Sequence, residues 1–348
     1  MLKNILVIRF RRVGDSVLSM ALCHSLKASF PQAAVHFVIN EETAPLYQGH
    51  PDIDKVIPFN PRQRHGWSYV RRVRQVVTDT HYDAIIDMRS TSKTLLFALL
   101  SPSTPYRIGR RKWYNRLVHN YRPATPTDTD RATSNLALMQ PLSREGRLTL
   151  DPQFRLYVTE AERTAFRTYM AQQGIDFGKP VILGAVSTRI VHKALNPADM
   201  TDTLRRVLQK YDVQIIANYG GPAEKAMALR YKELLAGDPR FFVNIEAKSL
   251  RELCALCANC QFFFGNEGGP RHMAQAMGIP AFAIYPPGIS KTKWLPSQKA
   301  DNQGISPDDY LSQAEQEGMT YQQRFQSITP QRVWEHLDSM LAALLPQK

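Results

Sequence analysis

The sequence contains no long apolar run. Its longest pieces, such as Leu95–Leu100, fall well short of the ~18 residues that a membrane-spanning helix requires. The apolar start, Leu2–Ile8, is broken by Arg9, Arg11 and Arg12 before it amounts to a signal peptide. A soluble, cytoplasmic protein with a buried first strand is the expectation. Cysteine is scarce, at four residues. Cys254, Cys257 and Cys260 share a C-x2-C-x2-C spacing that suits an iron–sulfur or zinc site, but they fall in or just after Ser249–Asn259, which reads as a helix, and the only other thiol, Cys23, is far away. Buried thiols on one helix face fit that arrangement better. The first β-α turn lacks a G-x-G-x-x-G string, which argues against a dinucleotide-dependent oxidoreductase. There is no helix-turn-helix, zinc-finger or RNP-like pattern, so a nucleic-acid-binding module remains only a minor alternative, suggested by the pI of about 9.6. No local pair of carboxylates marks a glycoside hydrolase.

What the chain has in excess is positive charge, unevenly placed. Residues 1–175 hold 25 Lys and Arg against 14 Asp and Glu, whereas residues 176–348 hold 19 against 17. The excess concentrates in Arg62–Arg74 and in Arg107–Arg116, where aromatic residues are interleaved. The first half is therefore expected to meet something acidic: nucleic acid, anionic headgroups or a phosphorylated glycolipid.

At 348 residues two domains are expected. Apolar runs of strand length alternate with amphipathic segments of helix length, the pattern of parallel sheets built from β-α units. The first set has strands near Ile5–Phe10, Ala34–Asn40, Lys55–Phe59, Ala84–Met88 and Tyr106–Gly109, with Asp151–Val158 as its expected last strand. The second has strands near Val181–Ser187, Val213–Tyr219, Phe241–Ile245, Gln261–Asn266 and Ala281–Tyr285. Gly174, Gly178 and Pro180 punctuate the pattern and place the hinge there. The polar stretch Ser297–Gly318 reads as a mobile loop, and Gln331–Leu345 as a final helix.

Five strand ends carry candidate chemistry. Gly265-Asn266-Glu267-Gly268-Gly269 ends a strand and opens a helix, so backbone N–H groups and a positive helix terminus converge where an anionic ligand can sit, with His272 in the first turn. His272 fits either a phosphate or sugar contact or a satisfied core histidine. Gly14-Asp15 follows the first strand, at the edge where parallel sheets put their ligands; Asp15 suits a catalytic acid or a helix cap. Ser187, Thr188 and Lys193 precede a helix opened by Pro197 and form a plausible diphosphate cradle or an ordinary helix start with a surface lysine. Glu224, after Gly220-Gly221, can read ribose hydroxyls or cap its helix. Asp87 and Arg89 either line a cleft or close a strand.

These segments together resemble glycosyltransferase family 9, the ADP-heptose:lipopolysaccharide heptosyltransferases. In the family's G-x-D-[ST]-G-x-x-H string Glu267 stands at the aspartate, Gly269 at the glycine and His272 at the histidine, while Gly268 replaces the hydroxyl residue and Arg271 a residue that is more often small. The K-x-x-x-[IML]-G-D opening is matched with Arg9 for the lysine, and Asp15 stands at its acid. Thr188 and Lys193 align with a T-x-x-K-x-W-P-like string in which Leu195-Asn196 replaces the tryptophan step. Glu224 closes a G-x-x-x-E segment, and Asp83–Met88 resembles a D-x-x-I-D-[LMF] strand.

The resemblance implies an α/β GT-B fold: two doubly wound Rossmann-like domains facing across a cleft, 1–175 for the acceptor and 176–330 for the nucleotide sugar, with a C-terminal helix, 331–348, packing back on the first domain. It implies an inverting transfer of heptose from ADP-heptose to a lipopolysaccharide inner-core acceptor, with Asp15 as base. Ser187, Thr188, Lys193, Glu224, Glu267, Gly268, Gly269 and His272 would bind the donor, and Arg9, Arg12, Arg89, Arg110, Arg111 and Lys112 the anionic acceptor. No metal and no cofactor is expected, since no DxD-type motif ends a suitable strand and basic groups can neutralise the diphosphate. Peripheral contact with the cytoplasmic leaflet of the inner membrane follows from a glycolipid acceptor, and no nucleic-acid partner is expected. A GT-B transferase using another nucleotide sugar or another acceptor is the alternative.

Overall fold

The computed structural model describes residues 2–296 and 301–345. The chain divides into two compact units, Met1–Tyr157 and Val158–Lys348.

In the first unit, β1 (Asn4–Ile8), β2 (Ala34–Asn40), β3 (Lys55–Phe59), β4 (Ala84–Asp87) and β5 (Tyr106–Gly109) form one parallel sheet in the order β3-β2-β1-β4-β5. Helices cover a parallel sheet on both faces, so its strands need not alternate. β4 is buried at every position, and β1 at all but Asn4. The strand order reverses between β1 and β4, where Ile5 lies opposite Ala84 and Ile8 opposite Asp87. Loops that leave these strands in opposite directions open a crevice at the carboxyl edge. The turns after Ile8 and Asp87 therefore become neighbours.

The second unit repeats the plan with six strands: β6 (Val181–Ala185), β7 (Gln214–Ala217), β8 (Phe241–Phe242), β9 (Phe262–Asn266), β10 (Ala281–Ile284) and β11 (Asn302–Ile305), all parallel, in the order β11-β10-β9-β6-β7-β8. Here the order reverses between β6 and β9. That reversal puts the segment after Ala185 beside the one after Asn266.

Several expectations are corrected. Residues Asn302–Ile305, within the stretch read as a mobile loop, form the edge strand; residues 297–300 of that stretch lie outside the described residues. An edge strand needs a ladder on one side only, and Gly304 lets it lie close, since a Cβ there would meet the Ala283 carbonyl oxygen and the Tyr285 ring at 2.7 Å. Asp151–Val158 is not a strand. Its backbone is held by side chains instead: Ser25 Oγ donates to the Asp151 carbonyl at 3.0 Å and accepts from the Asp151 N–H at 2.9 Å. The helix Glu160–Gln172, placed by the sequence pattern in domain 1–175, lies in the second unit, where Arg251 bonds Glu162 through Nε at 2.6 Å and Nη2 at 2.8 Å.

The final helix, Pro330–Leu344, also has its apolar stripe buried within the second unit. Val333, Leu337, Met340 and Leu341 join that unit's core, and Lys210 Nζ donates to both Asp338 oxygens at 2.8 Å. The three clustered cysteines, Cys254, Cys257 and Cys260, are buried free thiols at the helix Leu250–Cys257 and just beyond it.

Gly265 is the tightest point of the second sheet. Its φ is +143°, and a Cβ built there would sit 2.3 Å from the Ala185 carbonyl oxygen on β6. Gly265→Ala must separate the two central strands, so it is expected to destabilise the protein by several kcal/mol, on the order of 3 or more. Urea denaturation measures this, and a change under 1 kcal/mol would mean the strands part easily.

Candidate active site

In the first unit the chain leaves β1 through a strained turn. Arg11 and Arg12 have φ of 67° and 41°, a left-handed region that non-glycine residues enter at a cost. This turn drives the chain into the helix Val13–Val17, whose N-cap is Arg12, and so puts Asp15 in the first turn rather than at the cap. The capping alternative for Asp15 is thereby removed. Its Oδ1 pairs instead with Arg9 Nη2. Among the described residues Oδ2 has no hydrogen-bond partner.

Further guanidinium groups converge on this point. Arg110 donates from Nε to the Met88 carbonyl at 3.0 Å, from Nη1 to Thr125 Oγ1 at 3.1 Å and from Nη2 to Asn135 Oδ1 at 2.7 Å. Burial, then repulsion from Arg9 and Arg131, brings its pKa down to about 10, against the pull of Asp15 and Asp87. Burial also lowers Arg9, with Asp15 opposing and Arg89 and Arg131 reinforcing the shift. Arg89 Nη1 reaches the Phe10 carbonyl at 3.3 Å. Arg9, Arg89, Arg110 and Arg131 thus share two nearby carboxylates, which leaves a net positive recess suited to an anionic group. Arg12, Arg111 and Lys112 are exposed and lie outside this bonded cluster. Arg131 was not recognised in the sequence. Its signal was the Asp130 cap that follows the Pro/Thr loop, with Oδ1 accepting from the Thr133 N–H at 3.0 Å.

Asp87 closes its strand. It is wholly buried, and Oδ1 accepts from the N–H groups of Arg89 at 3.0 Å and Ser90 at 2.7 Å. Oδ2 faces His119 Nε2 at 3.8 Å with no hydrogen bond to either atom. The Asn115 amide donates to His119 Nδ1 at 3.1 Å, so the His119 proton sits on Nε2. Burial and the charges of Arg107 and Arg122 push His119 down to about 4, keeping it neutral.

The second unit builds its site around the reversal between β6 and β9. Asn266 links them: its Nδ2 donates to the Ala185 carbonyl at 3.0 Å and its Oδ1 accepts from the Leu195 N–H at 2.8 Å. The Ser187–Leu195 segment is therefore tied to the end of β9. Within it Thr188 Oγ1 donates to the Ile190 carbonyl at 2.7 Å, while the buried Ser187 Oγ has no partner among the described residues. Asn196 caps the next helix, accepting from the Asp199 N–H at 3.0 Å, and Pro197 begins it. Asn196 thus has a structural role where the family string has its tryptophan step.

At the other side of the reversal, the helix Gly269–Ala276 starts at Gly268, with Pro270 in its first turn. First-turn N–H groups have no intrahelical acceptor and point outward. Arg271, fully buried, donates from Nη2 to the Trp294 carbonyl and to His272 Nδ1, and from Nη1 to Gln275 Oε1, each at 2.6 Å. A guanidinium only donates, so His272 Nδ1 accepts and the proton of the neutral ring lies on Nε2. That atom faces Glu267 Oε1 at 3.5 Å. Burial works to raise the Glu267 pKa, but the bond from His272 and the electrostatic pull of the His272 N–H, Arg271 and Lys193 hold it below the ordinary value. Arg271, read as an added positive charge, is thus also the group that orients His272. Glu224 turns its Oε2 back to the Gly220 N–H at 3.1 Å. A largely apolar cavity of about 450 Å³ adjoins this loop; its walls include Ser187, Thr188 and Glu224 but not Lys193, Glu267 or His272.

Two doubly wound parallel units, the second with an acid and a histidine at a helix N-terminus, form a GT-B fold. The chain belongs to glycosyltransferase family 9 (heptosyltransferase), whose model matches residues 70–321. It is 24% identical over 353 residues to lipopolysaccharide heptosyltransferase 2 of Salmonella typhimurium, covering 97% of this chain and 99% of the relative. The glycosyltransferase family 9 structure from Veillonella parvula superposes with a TM-score of 0.80 at 19% identity, covering 98% of each chain. The Escherichia coli ADP-heptose lps heptosyltransferase II structure gives 0.71 at 21% identity, covering 98% of this chain and 99% of that one. Among the described residues no helix is long and apolar enough to cross a membrane.

Burial pushes the Asp87 carboxyl up to about 6, with its hydrogen bonds and Arg9 opposing. A carboxyl raised in the native state holds its proton more tightly than in the unfolded chain, so its contribution to stability is lost as pH rises through that value. The stability of wild type minus that of Asp87→Asn is expected to fall by on the order of 2–3 kcal/mol between pH ~4 and ~6. Denaturation across that range checks it; a flat difference would show that Asp87 ionises like an exposed carboxylate.

Proposed function

We propose that the protein transfers heptose from ADP-heptose to a lipopolysaccharide inner-core acceptor by direct displacement, with inversion at the anomeric carbon. The observation that supports this most is the carboxylate of Asp15, held by Arg9 at the carboxyl end of β1 with its second oxygen available. In the reaction an acceptor hydroxyl oxygen bonds to the anomeric carbon as the bond to the diphosphate oxygen breaks. The electron pair leaves with ADP and the acceptor proton passes to Asp15. The leaving diphosphate gathers negative charge, which Lys193 and the N-terminus of the helix Gly269–Ala276 stabilise. Ser187, Thr188, Gly268 and Gly269 supply further donors, while Glu224 and Glu267 accept from donor hydroxyls and His272 Nε2–H orients beside them. With these positive groups in place no metal is required, and turnover in a chelator is expected to equal that without.

The arginine recess of Arg9, Arg89 and Arg110 suits the phosphate and carboxylate groups of an inner-core acceptor, with Arg12, Arg111 and Lys112 as outer contacts. The protein then works at the cytoplasmic leaflet of the inner membrane, where such a glycolipid is presented. The name of the Escherichia coli neighbour supports ADP-heptose as donor. The Glu267-Gly268 and Arg271 departures keep another nucleotide sugar as the second reading.

Stabilisation by ADP in preference to UDP, GDP and CDP in a thermal-shift panel is expected, because ligand binding to the folded state raises its melting temperature. Equal or no response would displace the adenine nucleotide. Asp15→Asn should retain the ADP response and lose turnover by on the order of 10²–10⁴; unchanged turnover would remove Asp15 as base. Lys193→Ala should weaken ADP binding, by about tenfold or more, and equal affinity would make it a surface lysine.

A further inference from the structure

Arg271 is a wholly buried guanidinium whose three acceptors, the Trp294 carbonyl, Gln275 Oε1 and His272 Nδ1, are all neutral. A charge buried against neutral acceptors is less favourable than an apolar side chain of similar size. The position therefore calls for a role that methionine or leucine could not fill. The same group joins two segments. Trp294 ends the short helix Lys291–Trp294 that follows β10, and its carbonyl also accepts from Tyr285 OH at 3.3 Å. Gln275 Nε2 donates to the Pro296 carbonyl at 2.9 Å, and the Trp294 ring meets the His272 ring edge-on at 6.0 Å. The imidazole is thus fixed between a guanidinium and an indole, with Nε2 facing Glu267 Oε1 at 3.5 Å.

The charged groups around this ring pull in opposite directions. Glu267, from the turn after β9, favours a proton on both ring nitrogens. Arg271, from the ring's own helix, opposes it, because a proton on Nδ1 would point at the guanidinium N–H. Lys193, from the Ser187–Leu195 segment, draws on Glu267 and so opposes it as well. On the β10 side burial keeps the Tyr285 phenol protonated, Lys291 is paired with Asp309, and Lys293 is exposed. Distance decides the contest: the Arg271 contact is 2.6 Å and direct, whereas Glu267 stands off at 3.5 Å.

We propose that Arg271 is a positioning residue for sugar transfer: it keeps His272 a neutral imidazole, its proton on Nε2, through the acid range in which a histidine beside a carboxylate ordinarily becomes cationic. A cationic His272 would pair with Glu267 and withdraw it from the donor hydroxyls. The neutral ring gives one N–H and leaves the Glu267 carboxylate as an acceptor for the sugar. The guanidinium also draws electron density from Nδ1, which makes Nε2–H a stronger donor than in a solvated imidazole. The proposal rests on the reading that Glu267 and His272 contact the nucleotide sugar.

Nitrogen-15 NMR of the full chain with labelled histidine reads the ring directly, the His272 signals being assigned by their loss in His272→Gln. In wild type they should keep the neutral, Nε2-protonated pattern from pH ~8 down to ~5.5, a unit below the ordinary histidine value of ~6.5. In Arg271→Met, which removes the charge and keeps much of the length, the ring should become cationic over that window. Its kcat/KM for the nucleotide sugar, relative to wild type, should then fall about tenfold from pH ~8 to ~5.5, where about one ring in ten stays neutral. Arg271→Lys, which returns a cation to the position, should restore the neutral ring and the wild-type pH dependence. A cationic or Nδ1-protonated His272 in wild type at pH ~6 would overturn the proposal without recourse to any variant. So would an Arg271→Met ring that stays neutral, or a loss of transfer equal at every pH, which would make Arg271 a packing group alone. Absence of transfer by wild type while its His272 shows the neutral pattern would be a failure of the transferase reading and not of the ring's assignment.

Discussion

The close approach of β6 and β9 is the constraint on which the second unit depends. No side chain fits at Gly265, because the Ala185 backbone occupies its space. Only that spacing lets the amide of Asn266 bridge from the Ala185 carbonyl to the Leu195 N–H. Through this one side chain the loop bearing Ser187, Thr188 and Lys193 is registered against the turn bearing Glu267 and the helix bearing His272. The candidate groups of two segments some 75 residues apart are held together by a bridge of two hydrogen bonds at ~3 Å, a normal length for each. A small displacement of β9 would shift both halves of the site at once.

The first unit solves the same problem differently. At the carboxyl ends of β1 and β4, carbonyl groups collect guanidinium groups instead. The Met88 carbonyl accepts from both Arg9 and Arg110, at 3.4 and 3.0 Å. Several like charges are thereby packed into a partly buried recess, and burial together with the repulsion among them lowers the pKa of Arg110. Such an arrangement is costly without an anion and favourable with one. Backbone strain at Arg11 and Arg12 places Asp15 within it.

A histidine is useful in a site only when its protonation is defined. Arg271 defines that of His272 by occupying Nδ1, and the buried guanidinium is itself held by the Trp294 carbonyl and Gln275. In the family string that the sequence resembles, position 271 is more often small; here it carries the guanidinium that orients the histidine. Glu267, longer than the aspartate of that string, meets the Nε2 face of the same ring.

Periodicity and punctuation were enough to read ten strands, the two doubly wound units and the strand ends that carry Asp15, Lys193, Glu224 and the Glu267–His272 turn, because parallel sheets write their buried strands as local apolar runs and their ligand loops as glycine turns. What stayed hidden was whatever depends on partners distant in sequence. β11 is polar and is a strand only because β10 offers a free edge with room for Gly304. The helices Glu160–Gln172 and Pro330–Leu344 look alike in the sequence wherever they pack; Arg251 and the core around Leu337 decide their place. That Asp15 pairs with Arg9 instead of capping its helix, that Arg131 lies near the recess and that Arg271 supports His272 follow from tertiary contacts. A residue's chemistry is written in its type, but its role depends on which groups share its low-dielectric surroundings, and only the folded chain brings those together.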